Sequence, residues 1–215
     1  MAIITRLNTG RDRSKKVRVF LDGKYAFSLE ARVAADNHLK VSQELSPTQI
    51  EALARADQRQ RCLAAANRLF AYRPRSEEEL KQKLSRHGFD AETVKTALAA
   101  LKERGLLDDA EFARFWKENR QSFSPRSQHF TALELRQKGV NPSLIAEVVG
   151  DIDDAESAFQ AGLKKASRLD IDDYQAFCHK VGEYLRRRGF GYPVIKQTIN
   201  RLWGERGGSE EKMSS

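Results

Sequence analysis

The chain has 215 residues, 40% hydrophobic and 32% charged, which supplies several small cores and argues against global disorder. A formal net charge of +8, with a pI near 9.6, favours polyanionic or acidic partners. No apolar run approaches the roughly 20 residues a membrane helix needs, and Cys62 and Cys178 form neither a CxxC pair nor a disulfide framework. A short apolar patch before a basic run at the N-terminus is the reverse of a secretion signal, so a cytoplasmic protein with no membrane partner is expected.

In chain order, the first 30 residues read as strands. Ile3-Ile4-Thr5 is a short β-prone run. Val17 to Leu21 and Tyr25 to Leu29 flank Asp22-Gly23, a dipeptide suited to the two positive φ angles of a type I′ hairpin. A small N-terminal β-hairpin or sheet is therefore expected over residues 1–45. Helical signals follow. Ser46-Pro47-Thr48-Gln49 has a capping-box pattern, as has Ser76-Glu77-Glu78-Glu79. Further helix starts fall at Asp108-Asp109, Ser127, Asn141-Pro142, Asp153-Asp154 and Asp173, and residues 46–203 hold no convincing strand.

The most informative feature is an internal repeat. Gly88, Gly139 and Gly189 are 51 and 50 residues apart. Leu84, Leu135 and Leu185 lie four positions before them, and Phe89, Val140 and Phe190 one after. Apolar residues recur six after (Val94, Ile145, Ile195), ten after (Leu98, Val149, Ile199) and thirteen after (Leu101, Ile152, Leu202). Two after come Asp90, Asn141 and Gly191, all acceptable N-caps. Each unit thus reads as a helix ending in cations, a left-handed glycine cap, an apolar residue folded back, and a new helix. A further helix lies upstream, near residues 60–72, 109–122 and 154–167. The expected fold is an all-α body of tandem three-helix repeats with about nine helices. Its segments are a helical linker and first repeat over 46–106, repeats over 107–152 and 153–203, and a disordered tail over 204–215.

Candidate binding residues are cationic. Lys81, Lys83 and Arg86, with Arg73 and Arg75 flanking Pro74, lie in residues 58–107, where Lys and Arg exceed Asp and Glu by five. Arg126, Arg136, Lys138 and Lys196 extend the set, and Arg186-Arg187-Arg188 is its densest run. Such groups suit phosphates or an acidic surface, and equally suit the negative ends of their own helices. Arg73 and Arg75 have no helix end to neutralise, and a partner-facing role is expected of them.

Other chemistry finds little support. Asp108-Asp109 reads as an N-cap rather than a metal site. Trp116 with Phe112 and Phe115, and Trp203 with Phe190, read as core rather than as base-stacking platforms. His38, His87, His129 and His179 lack metal-ligand spacing, and Cys178 and His179 are helix neighbours pointing about 100° apart. There is no phosphate loop, dinucleotide fingerprint or nucleophile elbow, so no enzyme and no cofactor are expected.

Arg73-Pro74-Arg75-Ser76-Glu77-Glu78-Glu79-Leu80 through Lys83-Leu84, then Gly88-Phe89, resembles the R-P-x-S-x-x-E-L-x-x-K-L stretch and Gly-aromatic turn of the RecX family. Gly105 through Ala113 is similar to its G-x-[LI]-[DN]-D-x-x-[FY]-[AS] signature, and Leu135 with Gly139-Val140 fits its second module. The resemblance covers residues 60–203. It implies an elongated, curved array of three-helix repeats that binds RecA recombinase filaments on single-stranded DNA. It further implies damping of RecA ATP hydrolysis, strand exchange and repressor cleavage in recombination, repair and the SOS response, with some direct DNA binding. A monomer is expected. The alternative is a non-specific DNA-binding helical protein with helix-turn-helix-like pairs and no RecA partner.

Overall fold

The computed structural model describes residues 1–9, 16–170 and 172–206, and among these it contains four strands and ten helices. Strands β1 (Ala2–Thr9), β2 (Lys16–Leu21), β3 (Lys24–Glu30) and β4 (Glu44–Leu45) form an antiparallel sheet in the order β3-β2-β1-β4. The β2–β3 hairpin turns on Asp22 and Gly23, with φ of 48° and 82°, the pair of positive values a type I′ turn requires. Asp22 also accepts from the Ile3 amide at 3.0 Å, tying the turn to β1.

Alternation along the strands leaves Ile4, Val19 and Leu29 buried. A short helix, α1 (Ala31–Asp36), covers them with Val33, and α2 (Pro47–Phe70) adds Leu53. Helix α1 lies outside the nine expected helices and brings the total to ten.

Helix α2 opens with a reciprocal capping box. The Ser46 hydroxyl accepts from the Gln49 amide at 3.2 Å, and the Gln49 side chain accepts from the Ser46 amide at 2.8 Å. The expected linker helix and the expected helix at 60–72 are here one helix of 24 residues. The reason is local: no Gly, Pro or competing cap interrupts the run from Gln49 to Phe70. Its N-terminal half serves the sheet, where buried Asp57 accepts from the Glu30 amide at 2.6 Å. Its C-terminal half supplies Cys62, Ala65 and Ala66 to the first helical core.

The remaining helices are α3 (Glu77–Arg86) and α4 (Ala91–Glu103), then α5 (Asp109–Phe123), α6 (Gln128–Gln137) and α7 (Pro142–Val149), then α8 (Asp154–Ala166), α9 (Tyr174–Arg186) and α10 (Tyr192–Glu205). Seven of these eight have a side-chain N-cap: Ser76, Asp90, Asp108, Ser127, Asn141, Asp153 and Asp173. Each cap satisfies an otherwise orphaned amide and contributes about 1 kcal/mol. Asp108 in particular takes the Ala110 amide at 2.7 Å, the role expected of it. Helix α10 runs into the expected tail as far as Glu205, and residues 207–215 lie outside those described.

The three anchor glycines adopt φ of 85°, 79° and 87°. After each, the amide of Phe89, Val140 or Phe190 returns to the carbonyl of Leu84, Leu135 or Leu185, at 3.4, 3.2 and 3.3 Å. That six-to-one bond is the Schellman ending. It drives the apolar residue back onto its own module, so each module closes a separate core.

The chain forms two compact units, Met1–Leu107 and Asp108–Ser215. The first combines the sheet with module one. The second combines modules two and three, joined through polar groups. The Ser127 amide donates to the Arg188 carbonyl at 3.2 Å, the Gln128 amide to Asp154 at 2.6 Å, and the Ser157 hydroxyl to Gln121 at 2.7 Å.

Candidate partner-binding surface

The cations divide into those the fold uses internally and those it presents to solvent. Arg73 forms a bidentate pair with Glu79, at 2.7 and 3.0 Å, and also donates to the Pro74 carbonyl at 2.9 Å. Arg75 is 9% exposed and its Nε donates to the Leu69 carbonyl at 3.1 Å. Burial, and then the adjacent Arg73 charge, hold the Arg75 guanidinium below its ordinary pKa. Both residues flank Pro74 as expected, but they bind the turn between α2 and α3 together. A partner-facing role for Arg75 does not fit its burial.

Arg126 and Arg188 do similar work in the second unit. Arg126 meets Glu134 at 3.1 Å, and the same carboxylate receives Arg120 at 2.7 Å and the Trp116 indole N–H at 2.8 Å. Lys138 and Arg120 lie over the Trp116 ring, at 4.2 and 4.5 Å from its centroid. Arg188 donates to Ser124 Oγ and to the Pro125 carbonyl, both at 2.9 Å, and stacks on Tyr184 at 4.5 Å. It is the clasp between modules two and three.

The outward set is Lys81, Arg86, Arg136, Arg186, Arg187 and Lys196, all exposed or half-buried, with half-buried Lys83 beside them. Lys81 and Arg186 pair loosely on their own helices with Glu78 and Glu183 at 3.3 and 3.1 Å, contacts that exposure makes weak. Among the described residues, Arg86, Arg136, Arg187 and Lys196 engage no side-chain partner. The repeat explains their placement: Arg86 and Arg187 both stand two residues before the anchor glycine, and Arg136 and Arg186 three before. Each lies in or just after the last turn of a module's second helix, where its charge also faces the helix's negative end.

Reading by charge density alone missed Lys95, which is exposed and unpaired among the described residues. It stands seven after Gly88, as Lys196 stands seven after Gly189, so extending the repeat alignment finds it. Exposed aromatics were missed too. Tyr72 and Phe123, 85% and 77% exposed, occupy equivalent positions two before Pro74 and Pro125. The aromatic residues read as core are core or half-buried: Phe112, Phe190 and Trp203 are buried, and Trp203 packs on Tyr174 and Phe177 at 5.3 and 5.2 Å. Cys178 lies beside Tyr174, and burial pushes its thiol pKa up, the reverse of an activated nucleophile. Among the described residues, no three His, Cys, Asp or Glu side chains gather as a metal site, and no helix is long and apolar enough to cross a membrane.

Comparison with known proteins matches residues 62–101 to a family described as RecX, first three-helix domain, and residues 108–149 to RecX, second three-helix domain. A regulatory protein RecX of Clostridium botulinum (strain Eklund 17B / Type B) is 30% identical over 205 residues, spanning 93% of this chain and 95% of that one. One from Amycolatopsis mediterranei is 35% identical over 144 residues, covering 64% of this chain and 82% of its own. Among solved structures, a crystal structure of a regulatory protein RecX aligns with a TM-score of 0.68 and 26% identity, over 93% of this chain and all of that one. A RecX structure from Lactobacillus salivarius aligns with a TM-score of 0.56 over 68% of this chain and 97% of its own. At 22% identity, that likeness speaks to the fold alone.

Proposed function

This chain belongs to the RecX family of regulatory proteins, and on that premise we propose that it binds RecA filaments on single-stranded DNA and restrains their ATP hydrolysis, strand exchange and coprotease activity. The observation that carries the reading is the recurrence of solvent-facing cations at one helix end in all three modules: Arg86, then Arg136, then Arg186 and Arg187. A filament is built of identical subunits, and a chain of similar modules offers it similar contacts in succession. Weak, screened contacts joined by short connections then add, because each later one forms at high effective concentration. The protein acts by binding, as a cytoplasmic monomer, and no catalytic step is assigned to it.

The second reading, a DNA-binding protein with no RecA partner, has the same charge in its favour. One comparison separates the two. At about 150 mM salt, affinity for RecA-coated single strands is expected to exceed affinity for the same bare strands by at least about tenfold. Bare-strand binding should fall steeply with salt. Equal affinities with equal salt slopes would favour the DNA-binding reading.

A further inference from the structure

In the first module, a groove of about 480 Å³ runs between α3 and α4. Val94 and Leu98 lie in its floor, and Lys81, Lys95 and Lys102 line it with a single acid, Glu77. In the third module, a groove of about 370 Å³ runs between α9 and α10. Ile195 and Ile199 lie in its floor, and Arg186 and Lys196 line it with a single acid, Glu183.

These are the same groove. Val94 and Ile195 stand six after their glycines, Lys95 and Lys196 seven, Leu98 and Ile199 ten. Lys95 and Lys196 are exposed and have no partner among the described residues. The middle module keeps the apolar pair, Ile145 and Val149, but puts Ala146 where the lysine would be. There the Gln128 side chain reaches from α6 to the Val149 carbonyl at 3.1 Å.

We propose that the α3–α4 and α9–α10 grooves are two copies of one docking site for an acidic amphipathic helix of a partner protein. The apolar floor asks for an aliphatic or aromatic stripe, and the unpaired lysine at the same place in each copy asks for carboxylates beside that stripe. The walls are helices whose backbone groups are already bonded, so no strand can add to them. A helix can pack its ridges into the space. The apolar floor also separates this site from a phosphate track, which needs only charge and stacking. The proposal rests on the RecA reading only for the identity of the protein that carries the helix. On that reading, the same helix from different filament subunits fills both grooves.

The site can be filled without disturbing the fold. A Cβ on Gly182 would lie 3.6 Å from Ile199 and 3.8 Å from Ile195, ordinary contact, so Gly182→Met runs a side chain across the third-module groove. Exposed Ala99 lines the first-module groove, and Ala99→Met does the same there. A second variant, Lys95→Glu with Lys196→Glu, leaves the shape and reverses the charge. The probe is a fluorescein-labelled helical peptide of about 14 residues with Leu and Phe on one face and Glu beside them, together with RecA filaments and bare single strands.

Both double variants are expected to keep wild-type helicity and to bind peptide and filament at least about tenfold more weakly. Filled grooves that bind peptide and filament as tightly as wild type would overturn the proposal. So would a loss confined to the charge variant and equally large on bare DNA, the signature of a nucleic-acid surface. If wild type binds the peptide, the filled variant does not, and RecA filaments are ignored by both, the grooves stand as a docking site and the RecA reading fails.

Discussion

Gly189→Ala is expected to destabilise the second unit by about 2–5 kcal/mol, while the same substitution at Gly88 costs about 1–2 kcal/mol. Both glycines occupy the left-handed region, at φ 87° and 85°, and both lose that freedom when a Cβ is added. What differs is the space. A Cβ at Gly88 meets nothing within 4 Å, whereas one at Gly189 would overlap the Phe130 ring and stand 2.7 Å from Ser127 Oγ. Those atoms belong to module two, packed where Ser127 bonds the Arg188 carbonyl. Gly189 therefore serves as a helix cap and as the contact point of two modules. Urea unfolding of the two variants checks the difference. Equal losses would mean that the junction relaxes to accept the methyl group.

The second large effect separates cations that bind from cations that build. Replacing Arg86, Arg136, Arg186 and Arg187 together by Ala is expected to weaken filament binding by about one to two orders of magnitude, with the melting temperature nearly unchanged. On bare single strands, every phosphate left without its cation should flatten the salt slope by roughly 0.7. Replacing Arg73 and Arg75 is expected to do the reverse. It leaves the Glu79 carboxylate and the Leu69 carbonyl without their guanidinium donors and costs about 1–3 kcal/mol of stability at each site. Thermal melts and filament affinity for both variants are the check. A folded Arg73/Arg75 variant with wild-type stability and no filament binding would place the binding surface on that turn after all.

Much of the fold was legible because its signals are local. The glycine period, the Asp-Gly turn and the run of Ser and Asp caps each depend on a few neighbouring residues, and each forms where it was expected. The long α2 was less legible. A Ser-Pro start and a separate upstream helix look like two elements until one notices that nothing between them stops a helix. The surface was harder still. Arg75 and Arg86 look alike as letters, and what separates them is tertiary: a carbonyl at 3.1 Å and burial for one, open solvent for the other. Arg188 likewise reads as one of three equal charges until the fold brings Ser124 and Pro125, more than sixty residues away, to its guanidinium. Lys95 was within reach of the sequence, through the repeat rather than through charge density.

The most direct test of regulatory function is RecA's ATPase rate on single-stranded DNA, titrated with this protein at substoichiometric amounts. Binding through repeated contacts along the filament predicts inhibition well below one molecule per RecA subunit, and weaker inhibition by the Arg86/Arg136/Arg186/Arg187 variant at every concentration. An ATPase rate that does not change, at protein concentrations where bare single strands are bound, would contradict the account.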